Sequence, residues 1–365
     1  MVSIVIGLVI LAALVSLFVN TSGSNRELAR ANSLIENGRL AIELLEGDVV
    51  HTGFWGAYMP NFDDQTLAGV PIDAPTAVPS PCLAYSTPWT VQEKLNYIHV
   101  PIQVYDSDAF CSTVVLNKQA DTDVLVVRHA ELCEAGVGDC EADTAGKLYF
   151  QSSRCPTDTI RYKFGTDDDT TFDLNQMDCS TATEKRRFVS NIYYIRDYAV
   201  TAGDGIPTLM RSTFDLDSAG TTLAHQPAVA VVEGIEGFRV ELGVDNRSEA
   251  YAGQPTGTPV DYGAEVNWLD PDTRTTATNR GDGAPDGAYI ACTTADPCSL
   301  GELMNVTAVK LYVLVRSREA SRGYKDTKTY QLGSTTMGPF NDGFKRHVYV
   351  STLRLPNVAG RRQTP

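Results

Sequence analysis

The chain has 365 residues, with 45 acidic against 30 basic and a formal net charge of −15. That length accommodates one large domain or two modest ones beyond a helix. The charge does not indicate the basic footprint of a nucleic-acid binder, and no nucleic acid is expected as a partner. Only the closing stretch 345–365, with Lys345, Arg346, Arg354, Arg361 and Arg362, is basic.

Met1–Val19 carries no charge. At about 1.5 Å per residue it spans roughly 28 Å as a helix, enough for a bilayer core. It lacks the basic start and the small-x-small cleavage site of a secretory signal, and so reads as a spanning segment. From there to about Val50 the pattern is amphipathic. Leu28, Ile35, Ile42 and Val49 recur every seven residues, flanked by Ala31, Gly38 and Leu45, and form one apolar stripe expected to dock on the body. Glu27–Arg30, Glu36–Arg39 and Arg39–Glu43 stand at spacings that support a helix. Asn20–Ser24, with Gly23 and hydroxyl residues, predicts a kink or a melted turn. The expected units are 1–19, a membrane or filament-core half-helix; 20–52, an amphipathic half-helix; and 53–365, an extracytoplasmic head.

Residues 53–120, rich in Pro, Gly, Thr and aromatics, read as long loops with short strands. Strand patterns follow at Asp123–His129, Ser190–Tyr198, Thr208–Phe214, Phe238–Val244, Val306–Ser317 and Lys345–Leu355, separated by turn-rich stretches such as Gly165–Gln176 and Asp270–Gly287. The expected fold is α+β, one long N-terminal helix packed on an antiparallel sheet with loop insertions.

Eight cysteines, Cys82, Cys111, Cys133, Cys140, Cys155, Cys179, Cys292 and Cys298, make no C-x-x-C and no zinc-ligand spacing. An even count in a membrane-anchored chain favours disulfides in an oxidising compartment. Cys133–Cys140 and Cys292–Cys298 enclose short loops, Cys155–Cys179 would staple an acidic loop, and Cys82–Cys111 remain; spacing alone leaves the connectivity open. His51, His99, His129, His225 and His347 stand in no nucleophile, metal or G-x-S-x-G context, so no catalytic residue is assigned and no cofactor is expected. Asp167–Asp169 with Asp173, and Asp270, Asp272, Asp282 and Asp286, are oxygen-rich but lack EF-hand spacing. Solvated turns are the first reading of them, and a calcium site at Asp270, Asp272, Asp282 and Asp286 the second.

Several blocks resemble one family in its own order. They are the apolar Met1–Ile10, the helix end Leu34–Ala41, the exit Thr52–Gly56, Asp123–Arg128, Tyr193-Tyr194, Ile206–Arg211, Val231–Gly237, Lys310–Arg316 and the terminal Phe344–Leu355. Together they are similar to minor type IV pilins of the PilW type. The resemblance implies a non-catalytic subunit of pilus assembly, priming or the tip complex. Its apolar helix would hold it in the inner membrane, head in the periplasm, before it joins other pilins in a filament at the cell surface. Two departures stand out. The family's basic leader, Gly cleavage site, aromatic first residue and Glu do not precede Met1, and the resemblance implies them upstream in the native gene. Ala57 stands where relatives often carry a cysteine. The alternatives are a J-type minor pseudopilin of type II secretion, or an anchored extracytoplasmic enzyme.

Overall fold

One helix, α1 (Val2–Val49), runs unbroken from the apolar segment through the amphipathic stripe. The structure, a computed structural model, describes residues 2–60, 74–248 and 280–362, with 260 and 278 as single positions. The turn expected to melt at Asn20–Ser24 does not melt. Each poor helix former there costs about 1 kcal/mol or less, and interrupting a helix that is formed on both sides would free several backbone groups at once. The Arg26 guanidinium adds bonds to the Ser22 carbonyl and hydroxyl one turn back, at 3.4 and 3.3 Å.

The described part of 53–120, residues 53–60 and 74–120, holds more order than its composition suggests. A helix, α2 (Val91–His99), begins at Thr90, whose hydroxyl accepts from Glu93 N while the Glu93 carboxylate accepts from Thr90 N. That reciprocal cap closes two of the orphan donors of a helix start. Trp89 stacks on Tyr97 with ring centroids 4.2 Å apart, and both join a buried aromatic cluster with Trp55, Phe150, Phe164, Phe188 and Phe214.

The strands are β1 (Ile102–Tyr105), β2 (Val124–Ala130), β3 (Tyr149–Ser152), β4 (Tyr162–Gly165), β5 (Lys185–Arg196), β6 (Thr208–Leu216), β7 (Leu223–His225), β8 (Val229–Glu233), β9 (Ile235–Val244), β10 (Val306–Arg316), β11 (Tyr330–Leu332), β12 (Thr335–Met337) and β13 (Arg346–Arg354). Short helices α3 (Leu300–Met304) and α4 (Pro356–Arg362) flank β10 and follow β13. An eight-stranded sheet runs β1-β2-β5-β3-β4, with β6 on β5 and β7 and β8 on β6; a three-stranded sheet runs β13-β10-β9; β11 and β12 form a hairpin. All pairings are antiparallel. The α+β expectation therefore holds.

The chain crosses between the sheets at Gly234, which joins β8 to β9. Its φ is +78°, in the left-handed region, and an added Cβ would lie 2.8 Å from the Arg316 carbonyl oxygen. Its N–H donates to Pro207 O and its C=O accepts from Arg316 N, so one residue ties both sheets. Only glycine meets the turn and the close approach together. The main core lies between α1, the inner faces of β9 and β10, and β1, β2 and β5.

Candidate functional site

The chemistry-bearing feature is α1, whose halves live in different surroundings. From Ile4 to Val19 the apolar side chains are exposed, and the most apolar eighteen-residue window has no buried residue. Leu34, Gly38, Ala41, Leu45 and Val49, by contrast, are buried against the sheets. This corrects the expected docking stripe. Val49 is fully buried and Ile42 half-buried, but Leu28 and Ile35 are 62 % and 53 % exposed. The helix is rotated so that the line Leu34, Gly38, Ala41, Leu45 and Val49 faces inward, with its small residues at the closest contact. At Gly38 an added Cβ would fall 2.1 Å from the Tyr349 ring, which lies over the helix and donates from its hydroxyl to Ile35 O at 3.3 Å. A helix approaching a sheet that closely needs small residues at the contact, so the large heptad residues are displaced to its flank.

Polar groups fix the helix along its length. The Glu27 carboxylate accepts from Lys345 Nζ at 2.7 Å and Ser321 Oγ at 2.9 Å, and Arg30 bridges Glu27 and Glu319. Asn37 Nδ2 donates to Glu233 O at 3.0 Å, and Ser351 Oγ donates to Glu46. At the last turn Asp48 takes His129 Nε2 at 2.8 Å and Asn191 Nδ2 at 2.9 Å. Burial pushes the Asp48 carboxyl up, but the His129 and Asn191 bonds outweigh it and hold it below the usual carboxylate range.

The Lys345 ammonium, followed by the Ser321 hydroxyl, lowers Glu27 from 4.5 to about 2. A depressed carboxyl contributes stability that is complete above its ordinary pKa and fades as pH falls through the depressed value. The Glu27 latch should therefore be intact above about pH 4.5 and open as pH approaches 2, and salt should weaken it because it lies at the surface. A carboxyl-carbon NMR titration should place the Glu27 midpoint near 2 in the native chain and clearly higher in Lys345→Met, where the Ser321 and Arg30 bonds remain; a native midpoint near 4.5 would remove the latch.

Below the latch, Arg346 is the hub of a buried ion cluster. Its side chain is fully buried and its guanidinium donates to both oxygens of Glu236, to Asp326 Oδ2 at 3.0 Å and to Asp342 at 2.7 Å, with Phe340 against its face at 3.7 Å. Burial lowers its pKa, yet the Asp342 and Glu236 bonds reverse this and raise it above the ordinary arginine value. In the sequence Arg346 stands in a basic tail and a strand pattern, and of its partners only Asp342, four residues away, is local; Glu236 and Asp326 lie 110 and 20 residues away.

The eight cysteines stand in four pairs at disulfide distance, Cys82–Cys111, Cys133–Cys140, Cys155–Cys179 and Cys292–Cys298, with Cα separations of 5.7, 6.2, 5.0 and 5.0 Å. Of the calcium candidates, Asp270 and Asp272 lie outside the described residues. Asp282 Oδ1 accepts from Ala284 N, and Asp286 Oδ2 from Asn246 N and Arg247 N, so both serve backbone turns. Among the described residues no three His, Cys, Asp or Glu side chains converge as a metal site. Ser190 Oγ lies 3.2 Å from His225 Nε2, as in a nucleophile–base pair. Yet Ser190 is 1 % and His225 8 % exposed, the other ring nitrogen meets the Ser212 hydroxyl, and burial brings His225 down to about 3. The trio is a neutral packing contact inside the head.

Three comparisons bear on identity. No curated protein matches the chain. A type IV-like pilin from Thermus thermophilus is 12% identical, with 89% of this chain and 98% of that one covered and a TM-score of 0.33; at that score the likeness is loose, and the fold rests on the strands and registers above. The family model of PilW, Type IV Pilus-assembly protein W, matches residues 192–357, from the second half of β5 into α4. The matched region thus includes β9, β10 and β13 beside α1 and the whole Arg346 cluster, and it is similar there to the PilW family of type IV pilus-assembly proteins.

Proposed function

We propose that the chain is a minor pilin, a non-catalytic subunit held in the inner membrane by the first half of α1 and transferred from there into a filament. The observation that carries this reading is the division of one continuous helix: Ile4–Val19 exposes apolar side chains, while Leu34–Val49 is locked to the head. An uncharged helix suits lipid and a bundle of neighbouring helices equally, since both offer apolar contact to every side. The match to a pilus-assembly family supports partners among other pilus subunits. The head, with its paired cysteines, stands on the periplasmic side and later on the cell surface.

Leu8→Asp tests this. A carboxylate in the middle of the apolar half costs a few kcal/mol in a bilayer, and Leu8 is 61 % exposed, so the head gains no buried charge. The variant should keep the native melting temperature of the head and lose membrane retention and incorporation into sheared pili. Incorporation at the native level would sink the reading.

A further inference from the structure

We propose that the outer edge of β13 accepts an extended segment of another subunit as an added strand, with Leu28 and Ile35 of α1 forming one wall of the site; this rests on the assembly role proposed above. Among the described residues β13 is an edge of the three-stranded sheet, paired only to β10. Two bonds fix which of its backbone groups are used. Ser317 N donates to Lys345 O, and Leu355 N donates to Thr307 O. In an antiparallel ladder bonded pairs alternate with non-bonded ones, so the odd-numbered residues of β13 bond to β10. Val348, Val350 and Thr352 therefore turn their N–H and C=O groups outward, and among the described residues no backbone bond reaches them.

Such an edge is a template for pairing unless it is covered. Among the described residues nothing covers it; it is nine residues long and free of proline, with Val350 57 % exposed at its middle. Tyr349 marks the helix side of the sheet, because its hydroxyl reaches Ile35 O. An added strand would set alternate side chains beside Tyr349, where Ile35 and Leu28 stand exposed on the flank of α1. The apolar residues that the helix does not spend on its own sheet thereby gain a partner.

Charge selects the occupant. A second copy paired antiparallel about Val350 would set Arg346 across from Arg354 at both ends and bring Arg354 no free carboxylate, because the acids around Arg346 are already engaged with it. Arg354 is exposed and has no ion pair among the described residues, whereas Arg346 is saturated with carboxylates. The fitting segment is extended, apolar at alternate positions, and acidic at the end that crosses Arg354.

The probe is a fluorescent heptapeptide of alternating valine and threonine with an amino-terminal glutamate, added to the full chain in detergent. It should bind saturably. Val350→Pro removes an outward N–H without touching the β10 ladder, a position where an edge strand tolerates proline. It should keep the melting temperature and weaken binding by about ten-fold or more. Arg354→Glu should reverse the preference toward a lysine-headed peptide, and this decides the matter if Val350→Pro fails to fold. No binding to the native chain, equal binding to a folded Val350→Pro, or an unchanged preference in Arg354→Glu would overturn the proposal. So would a concentration-dependent dimer dissolved by Val350→Pro in the absence of peptide binding, which would make the occupant a second copy. None of these outcomes alters the Leu8→Asp result, so the edge and the assembly role fail separately.

Discussion

Arg346→Met should cost the head about 3–5 kcal/mol of stability, read as a shift in the urea midpoint. The residue looks replaceable in the sequence, one of several cations near the end. In the structure its guanidinium is the shared counter-charge of Glu236, Asp326 and Asp342, and the Asp326 side chain is as fully buried as its own. Removing the cation strands buried carboxylates, whose desolvation is no longer offset. The cause can be isolated. Glu236→Gln and Asp326→Asn introduced with Arg346→Met should recover much of the loss, whereas Arg346→Met with a midpoint within about 1 kcal/mol of native would show that the cluster contributes no net stability. Asp342→Asn should be milder, since that side chain is 32 % exposed.

Leu45→Asp should destabilise the full chain by several kcal/mol, while Ile35→Asp should stay within about 0.5 kcal/mol. Both positions are apolar and lie on the same helix, but Leu45 is fully buried between the sheets and Ile35 is 53 % exposed. Ile42→Asp, half-buried, should fall between them. Thermal melts of the three variants in one detergent give the order directly. Equal losses at Leu45 and Ile35 would return the docking face to the heptad line of large residues and remove the wall from the proposed strand site.

The contrast shows what the sequence could reveal. Alternation of Val309, Leu311, Val313 and Val315 against Lys310 and Tyr312 marks β10 plainly, because that strand buries one face more fully than the other. The helix stripe was legible as a stripe but not in its rotation. Hydrophobic size points to Leu28 and Ile35, whereas the close approach of the Tyr349 ring selects Gly38 and Ala41, and that ring comes from 311 residues further along the chain. α2 escaped for a different reason. Nine residues give too little periodicity, and its mean composition is polar; the one local signal was the Thr90–Glu93 cap. β3, β4 and β8 are four or five residues each, and their identity as strands comes from their neighbours, β5 beside β3, β3 beside β4 and β6 beside β8. The buried partners of Arg346 are set by tertiary pairing alone.

The anchors of α1 are strung out from Glu27 to Asp48, a length of about 32 Å at 1.5 Å per residue. Tension applied to the N-terminal half of this helix, as when a filament is pulled, would run along the axis on which those anchors lie. It would load them together in shear, and the head could not be unzipped from one end by breaking one contact at a time. Gly234 and its neighbour Glu233, which accepts from Asn37, would pass part of that load to both sheets through Pro207 and Arg316. The second half of α1 is a rod clamped along its side, so resistance to such tension would be shared over the clamp rather than held by any single bond.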